Sequence, residues 1–213
     1  NLVMNQLYQF TPLQSTFSII NIALVNRAPR TLGLKEMLEA FLDHRKEVIC
    51  RRTMFLLRRA QQRAHLLEGL ILAVADIDEI IQIIKSSPDV PTAKQRLMDK
   101  PLRLTERATI HKLLPDEFVA RAGKEDQNLT GVQADQILSM QLQRLTGLEI
   151  RKLAEDYSNL VDEIAGYQAI LADERRLLDV IREDLHETKQ RHADPRRTEI
   201  IGDVGDFDIE DLI

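Results

Sequence analysis

Few side chains in this sequence are spaced for catalysis. The five histidines, His44, His65, His111, His186 and His192, share no ligand spacing with one another or with the one cysteine, Cys50, so no zinc-type site is readable. Cys50 has no partner for an internal disulfide; beside Arg51 and Arg52 it is read as an ordinary mid-helix position rather than a reactive thiol. Asp76 with Asp78, and Asp206 with Asp208, are carboxylate pairs of a kind that can hold Mg²⁺. The first is better explained as a helix cap, and the second lies in an acidic tail where Asp203, Asp206, Asp208, Glu210 and Asp211 crowd together. There is no glycine-rich phosphate loop and no serine or cysteine with an evident base. Of the tyrosines Tyr8, Tyr157 and Tyr167, the latter two fall on the packing seam of a long helix, where packing explains them.

The charge pattern points to binding rather than to bond chemistry. Net charge is -5, but between His44 and Arg63 seven cations (Arg45, Lys46, Arg51, Arg52, Arg58, Arg59, Arg63) face one acid, Glu47. A basic stripe on a stiff rod can meet a phosphate backbone. It can equally be a solvated face, partly paired with acids such as Asp156, Glu163 and Asp173.

The elements that would position these groups are mostly helical. A chain that is 30% charged, 44% hydrophobic and 4% aromatic has the profile of a long-helix protein. Two ladders dominate. One, over residues 34–75, carries Leu34, Leu38, Phe41, Leu42, Val48, Ile49, Phe55 and Leu56. The other, over 148–192, carries Ile150, Leu153, Tyr157, Leu160, Ile164, Tyr167, Leu171, Leu178, Ile181 and Leu185 at three-four spacing, interrupted at Glu174. At 1.5 Å per residue each is a rod of roughly 60 to 65 Å, and equal lengths are expected if one lies along the other. The fold class expected is mainly α: a long antiparallel coiled-coil arm, a small helical globular cap over 76–147, and a minor β element at the base.

At the base, residues 1–9 read as helix, 17–25 as a strand, 26–29 as a turn, 30–32 as a second strand, and Gly33 as the N-cap of the first rod. In the cap, Asp76 and Thr92 are read as helix caps, 105–114 and 115–122 as short helices, 123–128 as an exposed loop, and Thr130 as the cap of a helix over 132–145. That last helix carries Ile137, Leu138, Met140, Leu142 and Leu145, too many apolar residues to lie in water. Ala193-Asp-Pro195 stops the second rod, and 197–201 reads as a strand rejoining the base. Apolar runs are too short to span a bilayer, no signal peptide is evident, and the expected location is the cytoplasm. The start at Asn1, within a helix, reads as a piece of something longer.

Segments 7–17 (Leu-Tyr-Gln-Phe-Thr-Pro-Leu-Gln-Ser-Thr-Phe), 44–53, 63–69 (Arg-Ala-His-Leu-Leu-Glu-Gly), 142–148 and 194–200 together resemble, in family order, the A subunits of bacterial DNA gyrase, a family of type IIA topoisomerases. Pro12 and Ser18 depart from the family's more usual Gln and Gly. The resemblance implies the later half of the breakage-reunion region: the end of the tower domain over 1–33, an outgoing coiled-coil helix over 34–75, the exit-gate cap over 76–147, a return helix over 148–192, and a return to the tower over 193–213.

It further implies a homodimer through the cap, with Ile137, Leu138, Met140, Gln141 and Leu145 as gate surface, and Arg51, Arg52, Arg58 and Arg59 close to double-stranded DNA. In the family the nucleophilic tyrosine follows an arginine, and this sequence holds no Arg-Tyr pair. The fragment alone is therefore expected to be inactive. Cofactors are expected to be none here, with Mg²⁺ and ATP handled by the gyrase B subunit in an A2B2 complex. The rival readings are the A subunit of topoisomerase IV, which decatenates, and a purely structural coiled-coil arm.

Overall fold

The computed structural model describes residues 2–104, 110–124, 126–140 and 146–202. Among these residues the fold is mainly α, with eight α-helices, one 3-10 turn and two small two-stranded sheets. The chain divides into two compact units, Asn1–Glu47 with Asp179–Ile213, and Val48–Leu178.

The first unit begins with helix α1 (Leu2–Phe10) and the antiparallel pair β1 (Ile22–Val25) and β2 (Ala28–Thr31). Only the end of the expected 17–25 strand pairs. A two-residue turn joins the strands, with φ 53° at Asn26 and 66° at Arg27; positive φ at both positions suits the right-handed twist of a tight hairpin. Helix α2 (Leu34–Ala75) opens here. Gly33 is its N-cap as the sequence suggests: Glu36 accepts from the Gly33 backbone N–H at 2.8 Å, placing an acid in the first turn where the helix dipole favours it. Arg45 of α2 pairs with Asp184 at 2.5 Å. The strand expected at 197–201 is absent among the described residues, and the hairpin stays two-stranded. Its second strand includes Pro29, which lacks the N–H a further ladder needs.

The second unit holds the core. After α2 come α3 (Ile77–Ser86), α4 (Val90–Asp99), strand β3 (Pro101–Leu102), a 3-10 turn at His111–Leu113, α5 (Asp116–Lys124), strand β4 (Gln127–Asn128) and α6 (Gly131–Leu138). Strands β3 and β4 pair antiparallel, so within the stretch read as an exposed loop at 123–128, residues 123–124 end a helix and 127–128 form a strand. The cap of α4 is Asp89, not Thr92: its carboxylate accepts from the Thr92 N–H at 2.8 Å, and the Thr92 hydroxyl first, then that N–H, hold the carboxyl below its usual range. Arg103 donates to the carbonyls of Gly123 and Lys124 at 2.7 and 2.8 Å, closing the end of α5.

The return segment is two helices, α7 (Gly147–Ala172) and α8 (Glu174–His192). The single rod expected over 148–192 is interrupted at Asp173, which is extended (φ −129°, ψ 115°). Its carboxylate accepts from the Arg175 N–H at 2.9 Å and its carbonyl from the Leu177 N–H at 3.1 Å. A good N-cap side chain thus restarts the helix without Gly or Pro. The restart shifts the buried phase to Leu177, ahead of the expected Leu178, which is half-buried.

The core joins Ala64, Leu70, Ile71 and Ala73 of α2 to Ile80, Leu97, Phe118, Ala134 and Ile137, and to Ala154 and Tyr157 of α7. The buried face of α2 keeps the expected Ile49 and continues through the small residues Thr53, Ala60 and Ala64, while Val48 and Leu56 are half-buried. Leu34, Leu38, Phe41, Leu42 and Phe55 are all exposed.

Candidate functional site

The groups that could do chemistry do not converge. Among the described residues no three His, Cys, Asp or Glu side chains gather to hold a metal ion. His44, His186 and His192 are exposed, and Cys50 is a half-buried free thiol in α2. Asp76 precedes α3 without a side-chain capping bond, and its carboxylate lies 3.9 Å from Lys100, which also pairs with Glu79. Asp206 and Asp208 lie outside the described residues.

The stretch from His65 to Gly69 instead forms the station on which α5, α6 and α7 dock. Gln133, 5% exposed, lies against Gly69: a Cβ there would sit 2.6 Å from the Gln133 Cγ, so only glycine permits this approach. The Gln133 amide donates to the His65 carbonyl at 2.7 Å, and the His65 Nε2 sits 2.9 Å from the Thr130 hydroxyl. Thr130 and Gln133 close a reciprocal capping box at the start of α6.

One turn on, Glu68 takes two bonds on one oxygen, from the Tyr157 hydroxyl at 2.8 Å and from Arg121 at 2.5 Å. Arg121 also stacks 5.5 Å above the Phe118 ring, which meets Tyr157 edge-on at 5.0 Å. Burial, reinforced by the bond to Glu68, raises the Tyr157 pKa well above its ordinary value. For Arg121, burial acts to lower the pKa, and Glu68 outweighs it to give a net rise. Three residues of one helical turn region, His65, Glu68 and Gly69, thus fix α5, α6 and α7 on α2. Sequence reasoning misses this node, although the Thr-x-x-Gln box at Thr130 is a usable signal for it.

The residues expected on a gate surface separate. Ile137 is 2% exposed and packed in the core of the second unit, which leaves it no surface to offer a partner. Leu138 and Met140 are half-buried and pack against that core from outside. Gln141 and Leu145, with Leu142, lie outside the described residues. A cavity of about 330 Å³ opens beside Met140, floored by Leu66, Leu67, Leu70 and Leu153.

Arg51, Arg52, Arg58 and Arg59 are all exposed on α2, as is Arg63. The expected pairing with Asp156, Glu163 or Asp173 is not seen for Arg52, Arg58, Arg59 or Arg63 among the described residues. Their charge is therefore directed to solvent along one side of the helix.

Comparison with known proteins places this architecture. The model of the DNA gyrase/topoisomerase IV A-subunit family matches residues 1–186. Similar proteins include the DNA gyrase A subunits of Rickettsia conorii (45% identical), of Pseudomonas aeruginosa (43%) and of Neisseria gonorrhoeae (41%). Each alignment covers 99% of this chain but 23–24% of the relative, so the chain spans about a quarter of their length. With a family match over most of its length and a mainly helical fold to accompany it, the chain belongs to the A-subunit family of DNA gyrase and topoisomerase IV.

Proposed function

We propose that this chain is the exit-gate arm of a bacterial, cytoplasmic type II topoisomerase, the part that releases a DNA duplex after strand passage. The carrying observation is the alignment of 99% of the chain with relatives named as DNA gyrase A subunits, at 41–45% identity. Those names favour gyrase, and so negative supercoiling, over topoisomerase IV. In this reading α2 with α7 and α8 forms the lever, residues 76–147 form the gate cap, and two caps meet across a two-fold axis.

The chemistry demanded of the gate is reversible adhesion. Leu138, Met140 and Leu145 supply the apolar part, and Gln141 a polar group, of an interface near the low end of stable sizes, roughly 1,000 to 2,000 Å² in total, which holds while the DNA gate is open and still parts. The docking node of Glu68, Gln133 and Tyr157 supports this reading because a gate under load needs a cap that does not rotate on its lever. Arg51, Arg52, Arg58 and Arg59 guide the passing duplex through its phosphates without reading sequence. Cleavage by tyrosine, ATP hydrolysis and Mg²⁺ chemistry belong to other parts of the A2B2 assembly, the last two to the gyrase B subunit.

Sedimentation velocity of the 213-residue chain across a concentration range of about a hundredfold tests the gate. A monomer–dimer equilibrium abolished by Met140→Asp is expected; a monomer at every concentration would sink the proposal.

A further inference from the structure

Phe55 stands at the centre of the arginine stripe, and the spacing around it is specific. Arg51 and Arg52 are the residues four and three before it, and Arg58 and Arg59 those three and four after. On a helix these are the four positions that touch a given side chain. At about 100° per residue, all four point within about 60° of Phe55, whereas Thr53, Ala60 and Ala64, which are buried, point about 140 to 180° away. The ring occupies the outermost line of α2 and stays 64% exposed in spite of its four cationic neighbours.

We infer that Phe55 and its four arginines form a stacking site for a single-stranded nucleic acid: one unpaired base lies on the ring, and the phosphates on either side are held by the arginine pairs. The inference rests on the reading that this stripe faces DNA, and adds to the duplex a second form, an unpaired strand, that the ring lets the same arginines grip. The two arginine pairs are about 10 Å apart along the helix axis, one pair on each side of the ring. A purely electrostatic guide for a duplex needs no aromatic at its centre, because closed base pairs offer a ring no face to stack on. Single strands offer such faces, and a basic groove with an exposed aromatic is the usual platform for them. An acidic peptide would satisfy the arginines but not the ring.

The test is fluorescence anisotropy of the 213-residue chain in low salt, with an oligo-dT of about 12 nucleotides and with a duplex of about 12 base pairs, lengths within the span of one single-strand platform. The expected result is that Phe55→Ala weakens oligo-dT binding about tenfold and leaves duplex binding unchanged. Phe55→Trp restores it, and because the chain has no tryptophan, the new indole is the sole reporter and is quenched on binding. Replacing all four arginines by glutamine removes both binding modes. Equal binding of both DNAs by Phe55→Ala and the parent overturns the stacking site while leaving the arginine stripe intact. An unchanged fourfold glutamine variant overturns the stripe itself, and with it this inference. Loss of duplex and oligo-dT together in Phe55→Ala also overturns it, since stacking discriminates between them.

Discussion

The two units treat the same kinds of residue in opposite ways. In Val48–Leu178, Ile71, Ile80, Leu97, Leu102 and Ile110 are almost fully buried. In the other unit Ile181 is the one buried apolar residue among those described, while Phe10, Phe17, Ile19, Ile20, Ile22 and Leu24 all stand in water. Apolar character alone therefore does not make a core. Burial needs elements that converge from several directions, which α2 to α7 supply and a lone hairpin with one short helix does not.

Substitutions can break or sharpen that contrast. The largest effect is expected from Ile71→Ala, which opens a cavity in the core and costs about 2–5 kcal/mol, whereas Phe17→Ala changes stability by no more than about 0.5 kcal/mol. Urea titration followed by circular dichroism reads both, and comparable losses would erase the distinction between the units.

Glu68→Ala comes next, at about 1–3 kcal/mol, because it strands the hydroxyl of the buried Tyr157. The same tyrosine makes the second unit sensitive to alkali. Its pKa is raised in the folded state, so its contribution is fully present below the unfolded value of about 10 and is lost as pH rises above it. Thermal melts between about pH 8 and pH 11, a range that brackets the unfolded value, should show this loss in the parent chain but not in Tyr157→Phe.

Thr130→Ala removes half of the capping box and is expected to cost about 1 kcal/mol, with amide exchange speeding up at the start of α6 first. The smallest effect belongs to the first unit: Glu39→Gln cuts a solvent-exposed pair with Lys35 and should shift the melt by an amount equivalent to less than about 0.5 kcal/mol.

Much of this fold is legible in the chain because it is encoded locally. The α2 boundaries, with Gly33 and Glu36 at its start, follow from propensity and cap chemistry within a few residues. So does the Thr130 cap. Competition between neighbours is harder to read: Asp89 and Thr92 are both cap residues, and Asp89 wins because the Thr92 N–H lies where a carboxylate three positions earlier can accept from it. Apolarity also misleads. The sequence puts Phe55 on the packed face with Ile49 and Leu56; Ile49 does pack, but beside it the structure packs Thr53, Ala60 and Ala64, whose small side chains leave their helix face open to close neighbours, and Phe55 stays exposed.

What the sequence determined by itself was the succession of helices, the charge stripe between Arg51 and Arg63, and the absence of an Arg-Tyr pair. Each is read along one contiguous stretch, without knowing which elements meet. Only the tertiary structure decided that Ile137 belongs to the core, that Gly69 must yield to Gln133, and that Glu68 joins Arg121 and Tyr157 across 53 and 89 positions. Such choices depend on which surfaces meet, and chain separation at that distance leaves no periodicity from which to read them.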